Sequence, residues 1–179
     1  MAPSTILMTV EEFQKLPEDD GPVDHELRHG ELVAVSKPKA KHMKIQRRLF
    51  LLLEAAIGGR GAAAIELAFR ALPEHELRSA DVAYVSQERW ENIDPDDNLR
   101  GAPDIAIEVL SPSNTVAAML DKEELCLENG SKEFWLVDPI RRQVKVSTPD
   151  GHTTTYRAGQ NIPLPLPGDA TLAVDSIFS

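Results

Sequence analysis

The 179-residue chain is 42% hydrophobic and 27% charged, the balance of a soluble globular protein, and its length suits one domain over residues 1–179. A net charge of −10 excludes indiscriminate attraction to polyanions, and the single cysteine, Cys126, excludes an internal disulfide or a multi-cysteine zinc site. The longest apolar run, LFLLLEAAIGG, follows the basic KIQRR and is too short to span a bilayer. The N-terminal MAPSTILMTVEEF lacks the basic region and sustained apolar core of a signal peptide, so a reducing cytoplasm without membrane contact is expected.

In chain order, TVEEFQKLP reads as a short helix capped by Thr9 and Glu12 and stopped by Pro17. HELRHGELVAVS predicts two strands around an Arg28-His29-Gly30 turn. KHMKIQRRLFLLLEAAIGG places apolar residues at 45, 49, 52, 53 and 56, the spacing of a helix that closes on Gly58-Gly59. Six of the 19 Lys and Arg residues cluster here, from Lys37 to Arg48, while acid concentrates in PEDDGPVDHE, PEHE and ENIDPDD. Lys41, Lys44 and Arg48 recur at spacings of three and four, which puts them on one outward face.

AAIELAFRAL, SADVAYVS and DIAIEVLS follow as strands, with the polar, acidic QERWENIDPDDNLRGAP between the last two expected to be a loop or flap. NTVAAMLDKEELCLENG predicts a helix capped near Asn114 or Thr115. KEFWLVDP, QVKVSTPDG and HTTTYRAG alternate as a β-meander, and the proline-rich tail edges or wraps the sheet. The order is that of an α+β fold with a mixed sheet, not a doubly wound one.

Glu108 interrupts the apolar strand DIAIEV, on the side it shares with Asp104, Ala106 and Leu110. A lone carboxylate on a covered sheet face is costly unless it is paired or binds a cation. Asp81 opens the neighbouring predicted strand, and Lys122 lies on the helix that follows Glu108. Two carboxylates on adjacent strands would come within about 4–6 Å and repel by roughly 3–4 kcal/mol at an effective dielectric of about 20. A lysine or a hard divalent cation, Mg²⁺ or Mn²⁺, would offset that, and such a site can activate water against a phosphodiester. On residue types alone, the plainer reading is that Asp81 and Glu108 are separate structural acids and Lys122 a solvated helix lysine.

The segments HELRHGELVAVS, KHMKIQRRL, SADVAYV, PDIAIEVLSPS, DKEEL, NGSKEFWLVDP and LAVDSIF succeed one another as in the Uma2 family, over about residues 9 to 178. That family resembles a branch of the PD-(D/E)XK nuclease superfamily, with the restriction-endonuclease-like mixed sheet flanked by helices; here an N-terminal hairpin and a C-terminal meander would be added. The resemblance implies a Mg²⁺- or Mn²⁺-dependent endonuclease acting on nucleic acid, with DNA the expected substrate. It implies Asp81, Glu108 and Lys122 as catalytic residues, and a metal shell of Asp81, Glu108 and the Val109 carbonyl. Lys41, Lys44 and Arg48 become candidate phosphate contacts, and Glu31 and His42 match motif positions near the pocket without an assigned role. The lysine usual two residues after the glutamate is Leu110 here, and Lys122 stands in from the helix. The positions of a usual Arg-Pro, aspartate and tyrosine are Ser79-Ala80, Ala118 and Cys126. A catalytically silent module binding nucleic acid or protein is therefore the alternative reading. Cutting both strands of a duplex calls for two sites, which makes a homodimer the expected assembly.

Overall fold

The computed structural model describes residues 7–17, 23–72, 74–166 and 168–179. Thr9 and Glu12 form a reciprocal capping box at α1 (Val10–Phe13). Strands β1 (Val23–Arg28) and β2 (Glu31–Ser36) pair antiparallel. Their two-residue turn, His29 at φ 50° and Gly30 at φ 76°, has the double positive φ of a type I′ hairpin. Helix α2 (Ala40–Ile57) buries Ile45, Leu49 and Leu53 of the expected stripe, leaves Leu52 and Ala56 half-buried, adds Ile57, and ends on Gly58 in the left-handed conformation.

The main sheet begins with β3 (Gly61–Arg70) and β4 (Arg78–Ser86). The segment expected to be a loop is in part regular: it forms α3 (Gln87–Glu91) and β5 (Leu99–Arg100), and β5 pairs parallel with β3 at Phe69 and Arg70. Its polar composition concealed one apolar anchor, Leu99, which is buried against Phe69 and its neighbours. Then come β6 (Ile105–Val109), α4 (Val116–Glu128) with Thr115 as its cap, β7 (Glu133–Asp138), β8 (Gln143–Ser147) and β9 (Thr153–Tyr156). The seven strands stand in the order β5-β3-β4-β6-β7-β8-β9, parallel at β5–β3 and β6–β7 and antiparallel elsewhere. The tail makes its own two-stranded sheet, β10 (Asn161–Pro163) with β11 (Thr171–Ala173), followed by α5 (Val174–Phe178).

Period-two alternation sorts the sheet's side chains into two cores. Ile105, Ile107, Val109, Trp135 and Val137 join the α2 stripe and the tail residues Ile162, Leu172 and Ile177. Ala106 and Phe134 join Leu125 and Cys126 of α4 on the other face. The alternation changes phase in β4: Val82 and Tyr84 belong to the first core, but Ala80, two residues earlier, belongs to the second. Asp81 sits at that change.

The two cores predict unequal costs along α2. Leu53 is 0% exposed and Leu51 is 48% exposed. Leu53→Ala should cost about 2–5 kcal/mol in urea denaturation and Leu51→Ala no more than about 0.5 kcal/mol. Equal losses would mean that α2 packs on the sheet by a different face.

Candidate functional site

Asp81 lies inside β4, its fourth residue, and not at the strand's start as the sequence suggested. The β4–β6 ladder runs as far as Val82 and Ile107, so its next rung would place Asp81 opposite Glu108. There the side chains intrude on the backbone pairing. The Val109 N–H donates to Asp81 Oδ2 at 2.6 Å, and the Asp81 N–H donates to Glu108 Oε1 at 3.3 Å. Lys122, from α4, donates to Glu108 Oε1 at 2.8 Å and to the Ser79 carbonyl at 2.5 Å. Glu108 is 5% and Lys122 4% exposed, so this is a buried ion pair and not a solvated helix lysine.

The second partner of that lysine is a residue the sequence reading missed. Glu26, buried in the hairpin strand β1, lies 3.8 Å from Lys122 Nζ, accepts the Ser79 N–H at 2.9 Å and pairs with Arg28 at 2.7 Å. Glu31 does not reach the cluster. It shares a hairpin face with Glu26 and stands opposite Arg28, but it lies at the turn end with an exposed side chain.

Helix α2 approaches Asp81 from the other face of the sheet. His42 and Gln46 are one helical turn apart; Gln46, only 2% exposed, donates through Nε2 to Asp81 Oδ1 at 3.2 Å and to Glu66 Oε1. His42 Nε2 is buried 3.0 Å from Asp81 Oδ2, yet its orientation makes no hydrogen bond there. Glu66 holds φ 53° within β3, a left-handed conformation that costs a non-glycine residue about 1–3 kcal/mol. A glutamine within the apolar stripe of α2 was the readable signal for Gln46; nothing in AAIELAF marked Glu66.

Three acids thus face one lysine, and their proton affinities reflect it. Burial pushes the Glu108 carboxyl up to about 7, Asp81 and Glu26 push it the same way, and Lys122 opposes them. Burial would lower the Lys122 ammonium, but Glu108, Glu26 and Asp81 more than reverse this and raise it. Glu26 is likewise penalised by burial, and Lys122, the Ser79 N–H and Arg28 bring it below the ordinary range. Glu66 is exposed as a residue, but its carboxylate turns inward onto Gln46, and the lost hydration raises its pKa. Asp104, in the lead-in to the same strand, is the control: two residues before Ala106, it is paired with Arg89 at 3.1 Å and Lys132 at 3.1 Å, and these with the Ser86 N–H outweigh burial and lower its pKa.

Among the described residues no three His, Cys, Asp or Glu side chains form a metal-binding group. The donors that could serve a cation are therefore fewer: Asp81, Glu108 and a backbone oxygen. Glu108 Oε2 accepts from no described residue, and Asp81 is half-buried. Two hard carboxylates, one with a free oxygen and the other with one hydrogen bond at each oxygen, fit Mg²⁺ or Mn²⁺. Lys41 and Lys44 are exposed on α2 and Arg48 half-exposed; none forms an ion pair with a described residue, though Arg48 donates to Ser179 Oγ at 3.4 Å.

Removing one partner of a buried pair strands the other's charge, at about 3–5 kcal/mol. Lys122→Met should lose that much in chemical denaturation. Adding Glu108→Gln should recover part of the loss, because both charges are then gone. Strictly additive losses would show that the two side chains do not stabilise each other.

Among the described residues no helix is long and apolar enough to cross a membrane. A search of curated proteins finds none that matches the chain. A solved structure from Anabaena variabilis ATCC 29413, described as a putative nuclease belonging to DUF820, superposes with a TM-score of 0.77 at 24% identity, covering 96% of this chain and 97% of that one. At that identity the likeness establishes the fold: a seven-stranded mixed sheet flanked by helices, as in a nuclease-fold protein. The family model of Uma2, described as "Putative restriction endonuclease", matches residues 10–175. The chain belongs to the Uma2 family.

Proposed function

We propose that the protein is a divalent-cation-dependent endonuclease that hydrolyses phosphodiester bonds of nucleic acid, with DNA as its substrate. The observation that carries this reading is a second carboxylate, Asp81, set on the adjacent strand beside the buried Lys122–Glu108 pair, at the point where the sheet's pairing opens. A structural ion pair needs one acid; here Asp81 is left half-buried beside an already paired Glu108.

Asp81, Glu108 and the Val109 carbonyl would hold Mg²⁺ or Mn²⁺. Bound there, the cation supplies charge neutralisation at the phosphodiester and acidifies water. The remaining chemistry belongs to the chain's own residues. Lys122 has three N–H donors, of which two are committed to Glu108 and Ser79, so one is left to orient the attacking water or meet the charge that develops on phosphate. The Ser79 carbonyl and Glu26 join Glu108 in holding the ammonium in place. Gln46 fixes one oxygen of Asp81 and the Val109 N–H fixes the other, which limits rotation of that carboxylate. Lys41, Lys44 and Arg48 contact substrate phosphates, and cleavage of both strands places two copies on a duplex as a homodimer.

Asp81→Asn tests the reading with the least damage to the fold, since it keeps the side chain's shape. Plasmid and linear duplex should be cut by the wild type with Mg²⁺ or Mn²⁺ and not by the variant. A ligand that binds only the native state stabilises it by about 2.7 kcal/mol at a hundredfold excess over Kd. Mn²⁺ should therefore raise the melting temperature of the wild type and leave that of Asp81→Asn unchanged. An identical Mn²⁺ response in both proteins would reject the site. Salt-sensitive binding with no cleavage under either cation would assign the silent module instead.

The basic helix face makes a separate expectation. Substituting Lys41, Lys44 and Arg48 together with alanine should reduce the slope of log affinity against log salt by about 2–3. An unchanged slope would remove α2 from the phosphate contacts.

A further inference from the structure

The turn between β7 and β8 carries an exposed hydrophobic residue with nothing to pack on. Ile140 is 84% exposed, more than any other large hydrophobic among the described residues. The turn beneath it is built rigidly: Asp138 Oδ1 accepts the N–H groups of Ile140 and Arg141, both at 2.9 Å, and its other oxygen pairs with Arg141 at 2.9 Å. Arg142 adopts φ 52°, donates to the Phe178 carbonyl at 3.2 Å and lies 5.6 Å from that residue's ring centre. The next residue, Ser179, receives Arg48 of α2. The C-terminal residues thus join the basic flank of α2 to the Arg141–Arg142 pair.

This strip lies at the functional end of the sheet. β6 and β7 run parallel with Glu108 opposite Leu136, so the turn follows within four residues of the Glu108 rung. At about 3.3 Å per residue and 4.8 Å between strands, Ile140 is on the order of 15 Å from Glu108. His42 places the N-terminal end of α2 at the same end, beside Asp81.

We propose that the Ile140–Arg142 turn is a second contact for duplex nucleic acid: the two guanidinium groups meet phosphates on either side of a groove, and the Ile140 side chain enters it as an apolar wedge at a base step. A fixed apolar tip followed directly by two arginines suits a polyanion with an apolar stack between its charged rails, and isoleucine is among the residues that part base steps this way. Arg141 is 72% exposed, so the edge of its guanidinium turned away from Asp138 can meet a phosphate. The inference rests on the nucleic-acid reading of the site but not on its hydrolytic chemistry.

The test uses the full chain in EDTA, at low salt, so that binding is read without cleavage. Duplex affinity is followed by fluorescence anisotropy, and unstacking by the emission of 2-aminopurine placed within the duplex. Ile140→Ser should weaken binding at least about tenfold, the equivalent of burying an isoleucine, with the salt slope unchanged and the 2-aminopurine signal lost. Arg141→Gln with Arg142→Gln should reduce the salt slope by about 2. Ile140→Ser is at an exposed position and should melt as the wild type does. The double arginine variant gives up the contacts to Asp138 and Phe178, so its salt slope is read at a temperature well below its own melting point. Wild-type affinity, slope and emission in these variants would overturn the proposal while leaving Asp81-dependent cleavage untouched. Conversely, the expected binding losses alongside unaffected cleavage by Asp81→Asn would uphold the contact and reject the site. Absence of any duplex binding by the wild type overturns the contact. If Ile140→Ser instead lowers the mass in sedimentation with duplex affinity intact, the tip belongs to a contact between copies, and the proposal also falls.

Discussion

The Lys122 ammonium is the interaction on which the site depends. It is buried with a carbonyl at 2.5 Å, one carboxylate at 2.8 Å and another at 3.8 Å, contributed by β4, β6 and the N-terminal hairpin respectively. Three elements that are distant in sequence are held by one charge, and each needs it, because a buried carboxylate without a counter-charge is not sustainable. Such a cluster is weak support for net stability but strong support for one arrangement of the chain. A second buried cation, Arg78, repeats the device next door, pairing with Glu76 at 2.7 Å and Asp121 at 2.9 Å and so fixing α4 to β4.

The hairpin gains a role from this arrangement. It is a sheet of its own, joined by the Leu27–Leu77 bridge to the residue before β4 and by Glu26 to the Ser79 N–H, and it also touches two consecutive residues of α4. Glu26 faces Lys122, and His29 at its turn lies 2.7 Å from Asp121. Its small contact with the main sheet is therefore placed where it bears on the lysine.

Asp104 and Glu108 show why residue type alone could not separate structure from chemistry. Both are buried acids on one face of β6 and its lead-in. Asp104 meets two cations and a backbone N–H, and burial is overcome; Glu108 shares one lysine with Glu26 and Asp81, and burial wins. The difference lies in the number of counter-charges within reach, which is a property of the neighbours and not of the strand.

The sequence by itself determined the elements and their faces. Alternation in DIAIEV, the stripe at 45, 49 and 53 and the HG turn are local steric rules, and each appears where those rules put it. The α+β order and the pairing of an Asp81 strand with a Glu108 strand were legible for the same reason. The resemblance of its motifs pointed to Lys122. Only the tertiary structure decided which further groups meet there. Glu26, Gln46 and Glu66 reach the cluster from β1, α2 and β3, far along the chain from Glu108 and Lys122, and no local pattern encodes that meeting. Glu31, which its motif favoured, was left at the hairpin's turn end, and Leu99 drew part of a polar loop onto the sheet. Periodicity fixes the side of an element on which a residue falls; which charges then share that space depends on how helices and strands cross, and that is a long-range balance of burial and counter-charge.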